Sequence, residues 1–193
     1  MPKVGVKLLR KQQLINATLA SVAQYGLPNT TIMTISRIAG LSSGIISHYF
    51  GGKQGLVEAT VRYLLEQLKV SLHQRVIQQQ LSPIERLNRI IETNFTQLQR
   101  SMPATKTWLS FWAQSMHDPS LARLQHINSK RLHSNLLFSF RQLLPHNSAL
   151  TATKQMAAMI DGFWLRSALS AKPAEEFKQA EHLCKKFITD LVN

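Results

Sequence analysis

The chain has 193 residues, and its 23 Lys and Arg against 10 Asp and Glu give a net charge of +13. That length holds one large domain or a small domain fused to a larger one, and 44% hydrophobic residues is ordinary for a globular protein. No apolar run approaches the ~20 residues needed to cross a bilayer, and the amino terminus lacks the long apolar core of a secretion signal, so the expectation is a soluble cytoplasmic protein that does not enter a membrane.

Apolar positions at Leu14, Ile15, Ala17, Thr18, Leu19, Val22 and Ala23 repeat with helical spacing and predict a first helix from about Leu9 to Tyr25, stopped by Gly26. The preceding stretch, with Lys3, Lys7, Arg10 and Lys11, has no periodicity before Leu8 and is expected to be a mobile basic arm. Pro28-Asn29-Thr30-Thr31 breaks the chain, and Thr31 is the expected N-cap of the next helix. From Thr34 to Phe50 the pattern predicts a short helix, a tight turn at Gly40 and a second short helix. Ile35, Ile38, Ala39, Leu41, Ile46 and Phe50 form the seam between them. This is a helix-turn-helix.

After Gly51-Gly52, a long helix is expected from Gln54 to about Gln80, held by Leu56, Val57, Val61, Leu64, Leu65, Leu68 and Leu72. Its length of roughly 40 Å would let it act as a lever. Ser82-Pro83-Ile84-Glu85 is a capping box that opens a helix running to about Arg100. Pro103 opens another, Asp118-Pro119 caps one running to Phe140, and the last two are expected at Thr151–Ala171 and Ala174–Val192. No strand-like alternation is present, so the fold class is all-α with about nine helices. The split is expected to be a helix-turn-helix domain of three helices at 1–56 and a six-helix ligand-sensing and dimerisation domain at 57–193.

Ile46 and Phe50 lie four apart and share the inward face of the second short helix, which turns Gly44 and His48 outward with Ser43, Ile45, Ser47 and Tyr49 beside them. Small, hydroxyl-bearing and imidazole side chains on an exposed helix suit the major groove of a DNA duplex, which presents donors, acceptors and thymine methyls. Charge separates this reading from a plain solvated helix. Residues 1–57 hold no Asp or Glu, while Lys3, Lys7, Arg10, Lys11, Arg37 and Lys53 supply six positive charges. An anionic duplex fits that surface. A basic helical protein coating nucleic acid without sequence preference is the rival reading.

The block TTIMTISRIAGLSSGIISHYFGGKQGLVE, residues 30–58, resembles the DNA-binding signature of the TetR family of repressors. The resemblance implies a three-helix reader, a six-helix effector domain and a homodimer on a double-stranded operator. It carries DNA contacts onto Thr31, Ser42, Ser43, Gly44, Ile45, Ser47, His48, Tyr49 and Lys53. Ser47 stands where many relatives have tyrosine, and Gly51-Gly52 replaces residues that are often polar. Within the family, Arg10–Ile15, Gly44–Phe50, Thr107–His117 and Ile160–Arg166 are most similar to the choline-responsive repressors of glycine betaine synthesis genes. That resemblance implies choline as a small cationic effector; another hydrophobic cation is the alternative.

A quaternary ammonium ion is held by aromatic faces and nearby carboxylates. Trp108, Phe111, Trp112 and Trp164 supply rings, and Glu92, Asp118 and Asp161 are among the few acids in this half. The same rings at helical spacing also fit a packed core. Met156, Met159, Ile160, Phe163 and Trp164, with Phe177, Ala180, Cys184, Phe187 and Leu191, give the last two helices apolar faces from which a twofold four-helix interface can be built. Cys184 is the one cysteine, so no internal disulfide or Cys-based metal site forms. His117, His126 and His133 lack the short spacing of metal pairs, and no phosphate loop, HExxH or nucleophile elbow is present, which argues against an enzyme or a bound cofactor.

Overall fold

The computed structural model describes residues 3–192, with side chains from Gly5 onward. The helices are α1 (Lys3–Asn29), α2 (Ile32–Ala39), α3 (Ser43–Phe50), α4 (Lys53–Leu72), α5 (Pro83–Asn94), α6 (Gln97–Arg100), α7 (Met102–Ser115), α8 (Pro119–Phe140), α9 (His146–Leu169) and α10 (Pro173–Val192). Among the described residues nine helices have eight residues or more, α6 is a single turn, and there is no strand. The fold is all-α, as the periodicity predicts.

The chain forms two compact units. The first comprises Met1–Glu66 with Ser101–Leu124, and so takes in α7 together with the 1–56 region. Its centre is a cluster of Leu14 and Ala17 from α1, Ile35 and Ala39 from α2, Ile46 from α3 and Leu56 from α4. Helices of eight residues are marginal alone in water, so this shared core is what makes α2 and α3 persist. Ile38, expected in the seam, is instead 39% exposed. It stands three past Ile35, and Ala39 fills the inward position one residue later. The amino-terminal arm also differs from expectation: it is helical from Lys3, because Lys7 to Gln13 are all strong helix formers. The Lys3 side chain lies outside the described residues. Gly26, at φ 73°, interrupts α1 where a stop was expected.

In the first unit α7 packs along α1, and Lys106 Nζ donates to the Ala23 carbonyl. Thr107, Ser110 and Phe111 of α7 face Thr18 and Val22 of α1 and Val57, Thr60 and Val61 of α4 across a small apolar void. Phe111 is 2% exposed.

The second unit comprises Gln67–Arg100 with Gln125–Asn193. Here α10 packs on α9 and on α5. Phe177 takes the Trp164 ring at 5.8 Å and the Phe95 ring at 6.4 Å, both edge-on. Met156, Ile160, Ala180, Cys184 and Ile188 complete the layer, and burial pushes the Cys184 thiol up to about 12. Lys185 of α10 reaches Glu92 of α5 at 2.8 Å and Glu181 at 2.8 Å.

Three boundaries depart from the sequence reading. The long helix is α-helical only to Leu72 and then widens into a π-helical turn, His73–Ile77, which turns Val76 into the interior. The helix opened by the Ser82 capping box ends at Asn94, because Phe95 leaves the helical path, at φ −109° and ψ 23°, and is buried against Phe177. α9 starts at His146, directly after Pro145, rather than at Thr151.

Gly55 sits in the first turn of α4, where any Cβ would overlap the carbonyl oxygen of Phe50. The turn between α3 and α4 therefore closes only over glycine. Gly55→Ala is expected to lower stability by about 1–3 kcal/mol, seen as a lower urea midpoint. An unchanged midpoint would show that this turn relaxes freely.

Candidate nucleic-acid interface and effector site

The reading surface is built by local caps. Thr31 accepts from the Thr34 backbone N–H at 3.1 Å while its own N–H donates to Thr34 Oγ1 at 2.9 Å, a closed capping box at the start of α2. At the other end Gly40 is left-handed, φ 62°, and the Leu41 N–H returns to the Ser36 carbonyl at 3.2 Å. Gln13 of α1 donates to the Ala39 carbonyl at 2.7 Å and clamps this turn from behind. Sequence periodicity has no signal for Gln13, because an exposed polar residue on a helix looks like any other.

Ile46 is wholly buried and fixes the roll of α3. Ser42, Ser43, Gly44, Ser47 and His48 consequently face solvent, and Thr31 does so at the start of α2. Ile45 and Tyr49 are half-buried flanks packed on the core cluster, and the Tyr49 ring lies 4.9 Å from His48. Ser42, the N-cap of α3, makes no side-chain capping hydrogen bond, so its hydroxyl is open to an anion, while the Ile45 N–H is taken by the Ser42 carbonyl at 3.2 Å. Lys53 stands in the first turn of α4, where a cation opposes the helix dipole and a neighbouring phosphate would relieve the conflict. The first acid, Glu58, is paired with Arg62 at 2.6 Å. Nothing anionic within residues 1–57 neutralises this surface.

Gly44 is informative. A Cβ built there meets nothing within 4 Å, and the position is the exposed second residue of α3. No packing within the chain requires glycine at this position, so a side chain there would change only what the outer face of α3 presents.

The expected effector residues separate into two groups. Trp108, Phe111 and Trp112 of α7 form one cluster in the first unit, with Trp108 5.6 Å from Phe111 and 6.5 Å from Trp112. Trp164, Glu92 and Asp161 belong to the second. Trp164 is 5% exposed and meets Phe177 edge-on. Glu92 has both oxygens engaged, one by Lys185 at 2.8 Å and the other by Arg89 at 2.8 Å. Desolvation opposes its charge, but those two cations outweigh it and hold the carboxyl below its usual value. Asp118 caps α8 through the backbone N–H of Ser120 at 2.8 Å and of Leu121 at 3.2 Å, and accepts from Gln54. Asp161 stands on the outward side of α9, open to solvent on one face. The protein mass around it still disfavours its charge and pushes its carboxyl up to about 6.

Residues 14–60 match the family model of bacterial regulatory proteins of the tetR family, and residues 83–193 match the BetI-type transcriptional repressor carboxy-terminal domain. The HTH-type transcriptional regulator BetI of Burkholderia cenocepacia is 49% identical over 175 residues, 91% of this chain and 90% of that protein. The chain belongs to the TetR family. Its carboxy-terminal half is of the BetI type, and the regulator BetI of Burkholderia mallei, 45% identical over 192 residues, spans 100% of this chain and 98% of its own. A transcriptional regulator of Pseudomonas aeruginosa PAO1 has the same fold, with a TM-score of 0.80 at 25% identity over 95% of this chain and 90% of that one. A regulator of Saccharomonospora viridis solved in complex with choline superposes with a TM-score of 0.80. At 18% identity over 93% of this chain and 95% of that one, it shows likeness of fold alone.

TetR membership makes this a DNA-binding transcriptional regulator and not an enzyme. No helix among the described residues is long and apolar enough to cross a membrane.

Gly44→Ala is expected to leave the chain at least as stable as the parent while weakening DNA binding. Thermal unfolding and fluorescence anisotropy on one duplex read the two effects; a variant that binds DNA as well as the parent would remove Gly44 from the interface. Asp161→Asn gives a second prediction. Because the folded-state value of this acid is raised from 3.8 to about 6, the folded chain is favoured by protonation. The stability this gives is complete below 3.8 and disappears as pH rises through about 6. Asp161→Asn should therefore raise the melting temperature at pH 7.5 and change little at pH 3.8; equal shifts at both would show that burial does not oppose this charge.

Proposed function

We propose that the protein is a homodimeric repressor that occupies a palindromic operator and loosens its hold when choline enters, controlling choline-to-glycine betaine genes. Its parts are a reader at 1–56 and a ligand-sensing and dimerisation domain at 57–193. Thr31, Ser42, Ser43, Gly44, Ile45, Ser47, His48, Tyr49 and Lys53 form the operator contact. The observation that carries the reading is the aromatic cluster on α7, which packs within one compact unit against the helices that hold α3.

A trimethylammonium group carries its charge without an N–H to donate, so ring faces recognise it better than ordinary hydrogen-bond acceptors do. Trp108 and Trp112 supply those faces in this proposal. A ligand against them displaces α7, and α7 carries Phe111, Thr107 and Ser110 against α1 and α4. The displacement therefore reaches Leu14, Ala17 and Leu56, the residues of those helices in the buried cluster with Ile46 of α3. Trp164 and Glu92 act in this scheme as core and ion-pair support for α9, α10 and α5.

Dimerisation is assigned to α9 and α10. The residues with large apolar side chains, Met156, Ile160, Trp164 and Phe177, are consumed inside the chain. What faces outward on α9 is a stripe of Ala158, Asp161, Leu165 and Leu169, with Leu169 68% exposed. A Cβ on Gly162 would meet nothing within the chain, which leaves room for a partner helix to approach. A choline-bound fold neighbour and relatives called BetI favour choline over other cations.

The test is anisotropy on the promoter duplex and on a random duplex at fixed salt, with and without choline. Promoter affinity should exceed random affinity, and saturating choline should weaken it by about 5–150-fold, a coupling of about 1–3 kcal/mol. Trp112→Phe should keep part of the response, and Trp112→Leu should lose it while retaining operator affinity. Unchanged promoter affinity at saturating choline removes the inducer, and a promoter-to-random ratio near one removes the operator.

A further inference from the structure

The carboxy-terminal half carries a charged surface that the repressor reading does not use. Between Asp118 and Glu175 the only acid is Asp161, whereas α8 and the residue that follows it carry Arg123, Lys130, Arg131 and Arg141. On the second-unit part of this helix Lys130, Arg131 and Arg141 are exposed. No carboxylate partner is found for them among the described residues. Phe138 stands among them at 60% exposed, the only Phe or Trp of the described residues left so open.

The exposed ring is held in place. The Arg86 guanidinium of α5 lies 4.8 Å from the centre of the Phe138 ring. Its Nη2 donates to Asn135 Oδ1 at 3.0 Å and its Nη1 to the Val76 carbonyl at 3.5 Å, while its Nε is buried with no acceptor. Both of these acceptors are neutral, and desolvation pulls the guanidinium below its ordinary value. Beside the ring, Ser134, Leu137, Phe138, Arg141 and Gln142 line a surface groove of about 460 Å³. These positions fall on one face of the helix.

We propose that this groove is a docking site for an acidic segment of another protein that carries an aromatic or aliphatic side chain next to its carboxylates. The apolar side chain packs on the open face of Phe138, and the carboxylates meet Arg141 and the rim of Lys130 and Arg131. Charge complementarity selects the partner: three exposed cations without a carboxylate partner among the described residues, on a chain of net charge +13, attract an anionic one. A patch one helix face wide, with a single exposed ring, offers a bilayer little apolar area to insert, whereas one apolar side chain of a peptide covers it. A DNA backbone would use the arginines but would gain nothing from an exposed phenyl ring. The site does not depend on choline or on the operator.

The experiment uses the full chain with three labelled probes at fixed salt: a random glutamate–tyrosine copolymer, polyglutamate, and vesicles of phosphatidylglycerol. The copolymer should bind about tenfold more tightly than polyglutamate, and Phe138→Ser should remove at least about fivefold of that advantage. Arg141→Glu should weaken both polymers. Because the reader also binds polyanions, DNA affinity and the helical circular dichroism signal of both variants should stay at parent values, which separates a lost groove from a lost fold. Equal affinity for the two polymers, or a copolymer affinity indifferent to Phe138→Ser, overturns the proposal. So does vesicle binding that disappears in Phe138→Ser, which would assign the groove to lipid. A change in sedimenting mass on Phe138→Ser would assign it to a second copy and overturn it likewise.

Discussion

Complete burial of Ile46 is the constraint on which the reading surface depends. An eight-residue helix has little stability of its own, so α3 exists because Leu14, Ile35, Ala39 and Leu56 close around one of its side chains. With the roll fixed by that anchor, helical spacing alone decides that Gly44, Ser47 and His48 face solvent. Lys11 over the Phe50 ring, at 5.6 Å, secures the far end of the same helix. The outward face of α3, the operator contact in the proposed function, is thus a by-product of core packing, and anything that repacks the core re-aims it.

Charge is distributed so that no acid within residues 1–57 compensates this surface, although Asp118 from outside that stretch accepts from Gln54 beside Lys53. Acids begin at Glu58, and the ones in the helical bodies are largely matched: Glu58 with Arg62, Glu92 with Arg89 and Lys185, Glu181 with Lys185, Asp190 with Lys186. The exposed members of these pairs add little to stability. Their effect is to keep negative charge occupied away from residues 1–57, where Lys7, Arg10, Lys11, Arg37 and Lys53 remain available to phosphates.

What the sequence made legible was local chemistry. Thr31 before α2, Gly40 after it and the Ser82–Glu85 box each satisfy backbone groups within a few residues, so each is visible in the order of amino acids and present in the fold. What it concealed was set by distant partners. Phe95 ends α5 because Phe177, far along the chain, offers its ring a better place than another helical turn would. The π-helical turn at His73–Ile77 likewise has no local breaker, and its Val76 carbonyl is met by Arg86. Glu92 looked like a free carboxylate for a cation until Lys185 was brought to it from 93 positions away. Aromatic residues were the hardest to assign: Trp108 and Trp164 carry the same helical spacing signal and the same 5% exposure, yet one joins an α7 ring cluster and the other faces Phe177.

The arrangement of α7 bears on how small a stimulus can operate the reader. A coupling of about 1–3 kcal/mol is no larger than the cost of repacking one well-buried side chain. Phe111 is such a side chain, 2% exposed, with the Trp108 ring at 5.6 Å on one side and the α1 and α4 residues around the apolar void on the other. A ligand that prefers one setting of the tryptophans over another need only differ in affinity for the two settings by that amount. Densely packed interiors transmit such a shift because the neighbouring side chains have no slack to absorb it. In the proposed scheme the water-sized void beside Phe111 is where a ring displacement would meet least resistance on its way to α4.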